Sequence, residues 1–134
     1  MEVKKVLLDT NAYSNLLAGD EKVLKEIENS EIVFLSVFVI GELLSGFKGD
    51  SKEQENKNIL TRFFEKPSVE IINATVETSE FFAHVKHQLK IKGSPIPIND
   101  VWIAAHVFET GSTLITYDSH FSKIPGIKLW DRLD

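Results

Sequence analysis

Val3-Lys-Lys-Val-Leu-Leu-Asp-Thr-Asn11 is the stretch from which the fold is read. Its aliphatic run ends abruptly in a polar cluster. A short β-branched and aliphatic run ending in such a cluster reads as a buried strand, here Val3 to Leu8. Strands covered on both faces belong to parallel sheets with helices above and below. The first strand thus implies its neighbours, and the rest of the chain supplies them. Ile32–Leu35, Val69–Ile72, Leu114–Thr116 and Ile127–Trp130 are further short apolar strands, and helical periodicity fills the intervals.

Ser14 and Asp20 read as N-caps of short helices, the second carrying Val23, Leu24 and Ile27 at helical spacing. Ser36 caps an apolar helix running to about Phe47, with Gly46 and Gly49 marking its end. Asp50-Ser-Lys-Glu53 has capping-box spacing before Ile59, Leu60, Phe63 and Phe64, and Pro67 closes that helix. Thr75 opens a helix with Phe81, Phe82, Val85 and Leu89 on one face. Asn99 precedes another, Asp100 to Glu109, ended by Gly111. The expectation is an α/β fold, a three-layer α/β/α arrangement around a short central parallel sheet. No repeat or linker divides the chain, so residues 1–134 read as one domain.

Composition narrows the function classes. Cysteine is absent, which excludes disulfides and thiolate metal sites and fits a reducing cytoplasm. The apolar run after Met1 is too short for a signal peptide, and far below the about 20 residues that span a membrane. A cytoplasmic protein without membrane association is expected. Net charge is −5, so the overall field does not announce a nucleic-acid binder. The charges are nevertheless segregated: the stretch from Glu2 to Glu42 is rich in acids, whereas His84 to Lys92 carries Lys86, Lys90 and Lys92 without one.

In open α/β sheets, ligands gather at the C-terminal ends of the strands. Asp9 follows the first strand, and Asp118 follows Leu114–Thr116. Glu42 falls in the apolar helix among Val39, Ile40, Leu43 and Leu44, where burying a carboxylate is costly without a positive partner. Asp100 opens a helix that continues Val101-Trp-Ile-Ala-Ala105. No Lys or Arg lies within three residues of any of these acids. Taken singly, Asp9, Asp100 and Asp118 each read as a cap or turn residue. Glu42 has no such role. Gathered together, the carboxylates repel unless a cation neutralises them. A hard divalent ion, Mg²⁺ or Mn²⁺, answers that need with oxygen ligands and leaves room for a phosphate oxygen. Asn11 and Thr116 are candidates for supporting contacts, against plainer readings as turn and strand-end residues. His106, Trp102 and Trp130 read as core.

The four acids stand in recognisable settings. Leu7-Leu-Asp-Thr-Asn11 resembles the opening motif of PIN domains. Ser36-Val-Phe-Val-Ile-Gly-Glu-Leu-Leu-Ser-Gly46 is similar to the helix that supplies their glutamate. Pro97-Ile-Asn-Asp-Val-Trp-Ile-Ala-Ala-His106 resembles their third acidic motif, and Thr116-Tyr-Asp-Ser-His-Phe121 the fourth. Order and spacing fit the VapC toxin branch from about Val6 to Trp130. The resemblance implies a Mg²⁺- or Mn²⁺-dependent endoribonuclease, commonly a homodimer with a VapB-type antitoxin, and transfer RNA as one possible substrate. Asp9, Glu42 and Asp100 would be the core metal ligands, assisted by Asp118. Thr10, Asn11 and Thr116 would be supporting polar groups. Many relatives carry another acid two places after the fourth, where this chain has His120. That departure places a second metal site in question.

Charge alone nominates Lys48, Arg62, Lys86 and Lys90 for gripping RNA. Two rivals stand beside the nuclease. A phosphatase with Asp9 as nucleophile would want a second Asp at the position of Asn11. A PIN-like module that binds RNA or a partner without cutting would be expected to lack one or more of the four acids.

Overall fold

The structure is a computed structural model that describes residues 3–131. Within them, four strands form one parallel sheet: β1 (Lys5–Leu8), β2 (Ile32–Ser36), β3 (Val69–Ile72) and β4 (Thr113–Ile115), in the order β3-β2-β1-β4. Val6 lies opposite Val33 on one side and Thr113 on the other, and Val33 in turn opposite Val69. Val6, Leu7 and Leu8 are fully buried, as expected of a strand covered on both faces. Six helices flank the sheet and complete the three layers: α1 (Thr10–Leu17), α2 (Glu21–Glu28), α3 (Val37–Phe47), α4 (Glu53–Phe64), α5 (Val76–Lys92) and α6 (Ile98–Thr110).

The strand order positions the site. From β1 the chain steps to β2 and then β3 on one side. It returns at β4 to the other side of β1. The order therefore reverses between β1 and β4, and the crevice at their C-terminal ends is where such sheets take ligands. Asp9 follows β1 and donates its own N–H to Ile115 O at 3.2 Å, which carries the pairing with β4 one residue further.

Several boundaries differ from the sequence reading, each for a local reason. Asp9, not Ser14, caps α1: its Oδ1 accepts from Ala12 N at 2.8 Å, and Ser14 sits inside the helix. Helix α6 begins at Ile98 behind Pro97, so Asn99 and Asp100 both lie in its first turn. Asp50 and Glu53 do not close a capping box on α4. Instead Asp50 accepts from Lys52 N at 2.9 Å and Glu53 from Gly49 N at 3.1 Å, and α4 begins uncapped. The reciprocal box occurs at Thr75 and Thr78, which bond each other's backbone N–H at 3.3 and 3.0 Å. Ile127–Trp130 reduces to a single bridge, Leu129 beside Leu114. Gly126, at φ +81°, turns the chain into it.

Ser36 caps α3 as expected, with Phe38 N donating to its Oγ at 3.1 Å. The same Oγ lies 2.7 Å from Nδ1 of the fully buried His106, whose Nε2 lies 3.1 Å from Asn73 O. A carbonyl only accepts, so Nε2 carries the proton and Nδ1 accepts from Ser36. Burial lowers the pKa of His106 and keeps the ring neutral. It is a satisfied core histidine. Trp130 is buried, whereas Trp102 is half-buried and stacked between Phe38 and Phe82. Among the described residues, no helix is long and apolar enough to cross a membrane.

Candidate metal centre

The end of β1 delivers Asp9 into the crevice with 4% of its surface exposed. Oδ1 is occupied by the α1 N-terminus. Oδ2 accepts a 2.5 Å hydrogen bond from Thr116 Oγ, across the β1–β4 boundary. The Thr116 hydroxyl oxygen also accepts from Asp118 N at 2.9 Å, and its carbonyl accepts from Trp130 Nε1 at 2.5 Å. One buried threonine therefore fixes the carboxylate after β1 relative to the acid after β4. Burial raises the pKa of Asp9 above the usual carboxylate value. The donors Thr116 and Ala12 oppose this, while Asp118 and Glu42 add to it.

Asp100 is placed by the first turn of α6. A helix N-terminus favours a carboxylate, yet its pKa is raised to about 6, first by burial and then by Asp118 and Glu42. Mutual repulsion and desolvation outweigh the dipole. Asp118 caps the 3₁₀ turn Ser119–Lys123, accepting from His120 N at 2.9 Å. The His120 ring folds back so that Nδ1 stands 2.7 Å from Asp118 Oδ1 and 3.7 Å from Asp100 Oδ2.

Glu42 departs from expectation in its setting. It was expected to be buried among apolar neighbours, but it is exposed. Helix α3 turns Val39 and Leu43 to the core and leaves Gly41, Glu42, Leu44 and Ser45 outside. Its partner is Thr10, whose Oγ donates to Oε1 at 2.5 Å. With Asn99, it lines an open cleft of about 510 Å³ bounded by Val37, Phe38, Gly41, Ser45 and Gly46. Asn99 Nδ2 is buried there without a hydrogen-bond partner among the described residues.

The structure thus brings Asp9, Glu42, Asp100 and Asp118 close enough to perturb one another, with Thr10 and Thr116 bonded to two of them. Asn11 is exposed on α1 and takes part in none of the cluster's hydrogen bonds among the described residues. The cations nominated from charge stand apart from this network. Lys48 pairs with Glu53 at 3.6 Å, and Arg62 is exposed on α4. Lys86 and Lys90 are exposed on α5, beside a separate cleft with Leu89, Gly93 and Ile96. His120 is the residue that sequence reading passed over as a departure from a motif. The signal available was its spacing, two places after an acid on a turn.

The donor set fits a hard divalent ion. Among the described residues no Lys or Arg pairs with any of the four acids, and two of the four have raised pKa values. Such crowding is relieved by a cation with oxygen ligands.

Comparison with known proteins identifies the family. The sequence profile of the PIN domain matches residues 6–127. Ribonuclease VapC2 of Rickettsia felis is 28% identical over 112 residues, covering 81% of this chain and 82% of the relative. The tRNA(fMet)-specific endonuclease VapC of Salmonella typhimurium is 23% identical over 130 residues, covering 95% and 97%. Among solved structures, VapBC2 from Rickettsia felis bound to a DNA fragment from its promoter aligns with a TM-score of 0.80. There the identity is 26%, over 94% of this chain and 97% of that one. With the profile covering nearly all of the sheet, its helices and the acid crevice, this chain belongs to the PIN-domain family.

Proposed function

We propose that the chain is a divalent-metal-dependent endoribonuclease of the VapC type, hydrolysing phosphodiester bonds in RNA at the crevice between β1 and β4. The observation that carries this reading is the convergence of four carboxylates without a Lys or Arg partner among the described residues, two of them with raised pKa values. Asp9, Glu42, Asp100 and Asp118 would hold Mg²⁺ or Mn²⁺. When bound, the ion supplies activation of water near neutral pH and neutralises charge on the phosphate.

The chain's own residues prepare that chemistry. Thr116 and the α1 N-terminus hold both oxygens of Asp9. Thr10 directs Glu42. The turn at Asp118 fixes its carboxylate against His120. The 5′-phosphate and 3′-hydroxyl ends expected of the reaction follow from attack of water at phosphorus with loss of the 3′ oxygen. Lys48, Arg62, Lys86 and Lys90 are proposed as RNA contacts outside the metal centre, with transfer RNA as the first substrate to try.

The relatives named as VapC, and the solved VapBC complexes, support a toxin paired with a VapB-type antitoxin. In this reading the toxin is a cytoplasmic homodimer built from one domain per chain.

The test is cleavage of a mixed RNA pool by the purified protein with Mg²⁺ or Mn²⁺, with chelator and Asp9→Asn as controls. Cleavage abolished in both controls supports the metal nuclease. Intact RNA across a broad panel, with metal binding demonstrated, overturns it in favour of a binding module. For the toxin role, growth arrest on expression of the chain alone, relieved by its genomic neighbour, is expected. Equal growth in both cases with active nuclease present refutes it.

A further inference from the structure

The resemblance implies an acid in many relatives where this chain carries His120, and the structure gives that histidine a definite place. Its ring nitrogen Nδ1 and one oxygen each of Asp100 and Asp118 all lie within 4.8 Å of one another. Nδ1 lies 2.7 Å from Asp118 Oδ1, 2.8 Å from Asp118 Oδ2 and 3.7 Å from Asp100 Oδ2. Ligands of an octahedral ion at about 2.1 Å stand about 3 Å apart when adjacent and about 4.2 Å when opposite. The separations from Nδ1 therefore fall within the span of one coordination sphere.

The ring is also held in place. Its backbone N–H donates to Asp118, it belongs to a single 3₁₀ turn, and the next residue, Phe121, is fully buried as an anchor. The side chain is 42% exposed, which leaves room for an ion and its waters between ring and carboxylates.

We propose that His120 is a ligand of the metal centre, converting an all-oxygen site into a mixed nitrogen–oxygen site that prefers Mn²⁺ to Mg²⁺. The inference rests on the metal-nuclease reading and deepens it. Imidazole is a good ligand for first-row transition ions, whereas Mg²⁺ favours carboxylate, carbonyl and water. An acid at this position would favour neither ion in that way. His84, His87 and His106 provide no such arrangement with Asp100 and Asp118 among the described residues.

The experiment is electron spin-echo spectroscopy of the protein loaded with Mn²⁺, read for ¹⁴N modulation. It is paired with competition between Mn²⁺ and Mg²⁺ followed by the free-Mn²⁺ signal. Expected are nitrogen modulation in the parent protein, its loss in His120→Asn, and a Mn²⁺-over-Mg²⁺ preference that falls about tenfold in His120→Asp. Bound Mn²⁺ without modulation in the parent overturns the role of His120 and leaves the acidic centre standing. Modulation that persists in His120→Asn with an unchanged preference does the same. Failure of the parent protein to bind Mn²⁺ at all overturns both this proposal and the reading beneath it.

Discussion

Thr116 is the residue on which the geometry of the crevice turns. Its hydroxyl donates to Asp9 and accepts from Asp118 N, so a single oxygen sets the distance between acids from two strands. Valine keeps the shape and the β-branch but loses both bonds. Thr116→Val is expected to fold and to bind Mn²⁺ about 10–100-fold more weakly, the usual cost of losing a group that orients a ligand. Thr116→Ser should stay near the parent. Calorimetric titration with Mn²⁺ checks this, and parental affinity in Thr116→Val would remove Thr116 from the site. At this scale the sequence was legible in part. Asp9 and Asp118 stand out because each follows a strand in an α/β pattern. Glu42 stood out for a reason the structure does not support: the helix is apolar in composition, but its exposed face includes Val37 and Leu44 beside the acid. His120 stood out only as a departure from a motif, because a ring folding back on a turn is a three-dimensional fact.

Elements are joined through Ser36, the last residue of β2 and the cap of α3. Its hydroxyl accepts from Phe38 N and donates to His106 on α6, tying the helix that carries Glu42 to the helix that carries Asp100. Ser36→Ala leaves a helix N–H and a buried imidazole without their partner. A loss of about 1–3 kcal/mol in urea unfolding is expected, and parental stability would show that the bonds carry no weight. Strands and helices were readable wherever an aliphatic run or a helical stripe met a cap, as from Ser36 to Phe47. The misreadings cluster where a residue's side chain serves a neighbour. Asp9 took the capping role assigned to Ser14. Pro97 displaced Asn99 from the start of α6. Trp130, expected in a strand, turns its indole N–H to Thr116 O and leaves only one bridge behind.

Across the whole molecule, the crowded acids make stability depend on pH and on metal. Asp9 and Asp100 have folded-state pKa values above their ordinary ones, so between the usual carboxylate range and about 6 the folded protein holds more protons than the unfolded chain. Their contribution to stability is then lost as pH rises through that window. Asp100→Asn removes one of the repelling charges. In chelator at pH 7 this variant should melt higher than the parent by about 2–8 °C, the shift that 1 kcal/mol makes in domains of roughly this size. The difference should shrink toward pH 4. Mn²⁺ should raise the melting temperature of the parent far more than that of the variant. A variant that melts no higher than the parent at pH 7 without metal would refute the repulsion.

The bond from Thr116 to Asp9 spans 107 residues of chain. At translation rates of roughly 5–20 residues per second, that separation corresponds to roughly 5–20 s between synthesis of the first acid and of the threonine that aligns it. During that interval the first strand has been made while its β4 neighbour does not yet exist, and no earlier segment supplies that contact. A ribosome stalled anywhere before Thr116 therefore carries a nascent chain in which the first acid still lacks the hydroxyl that aligns it.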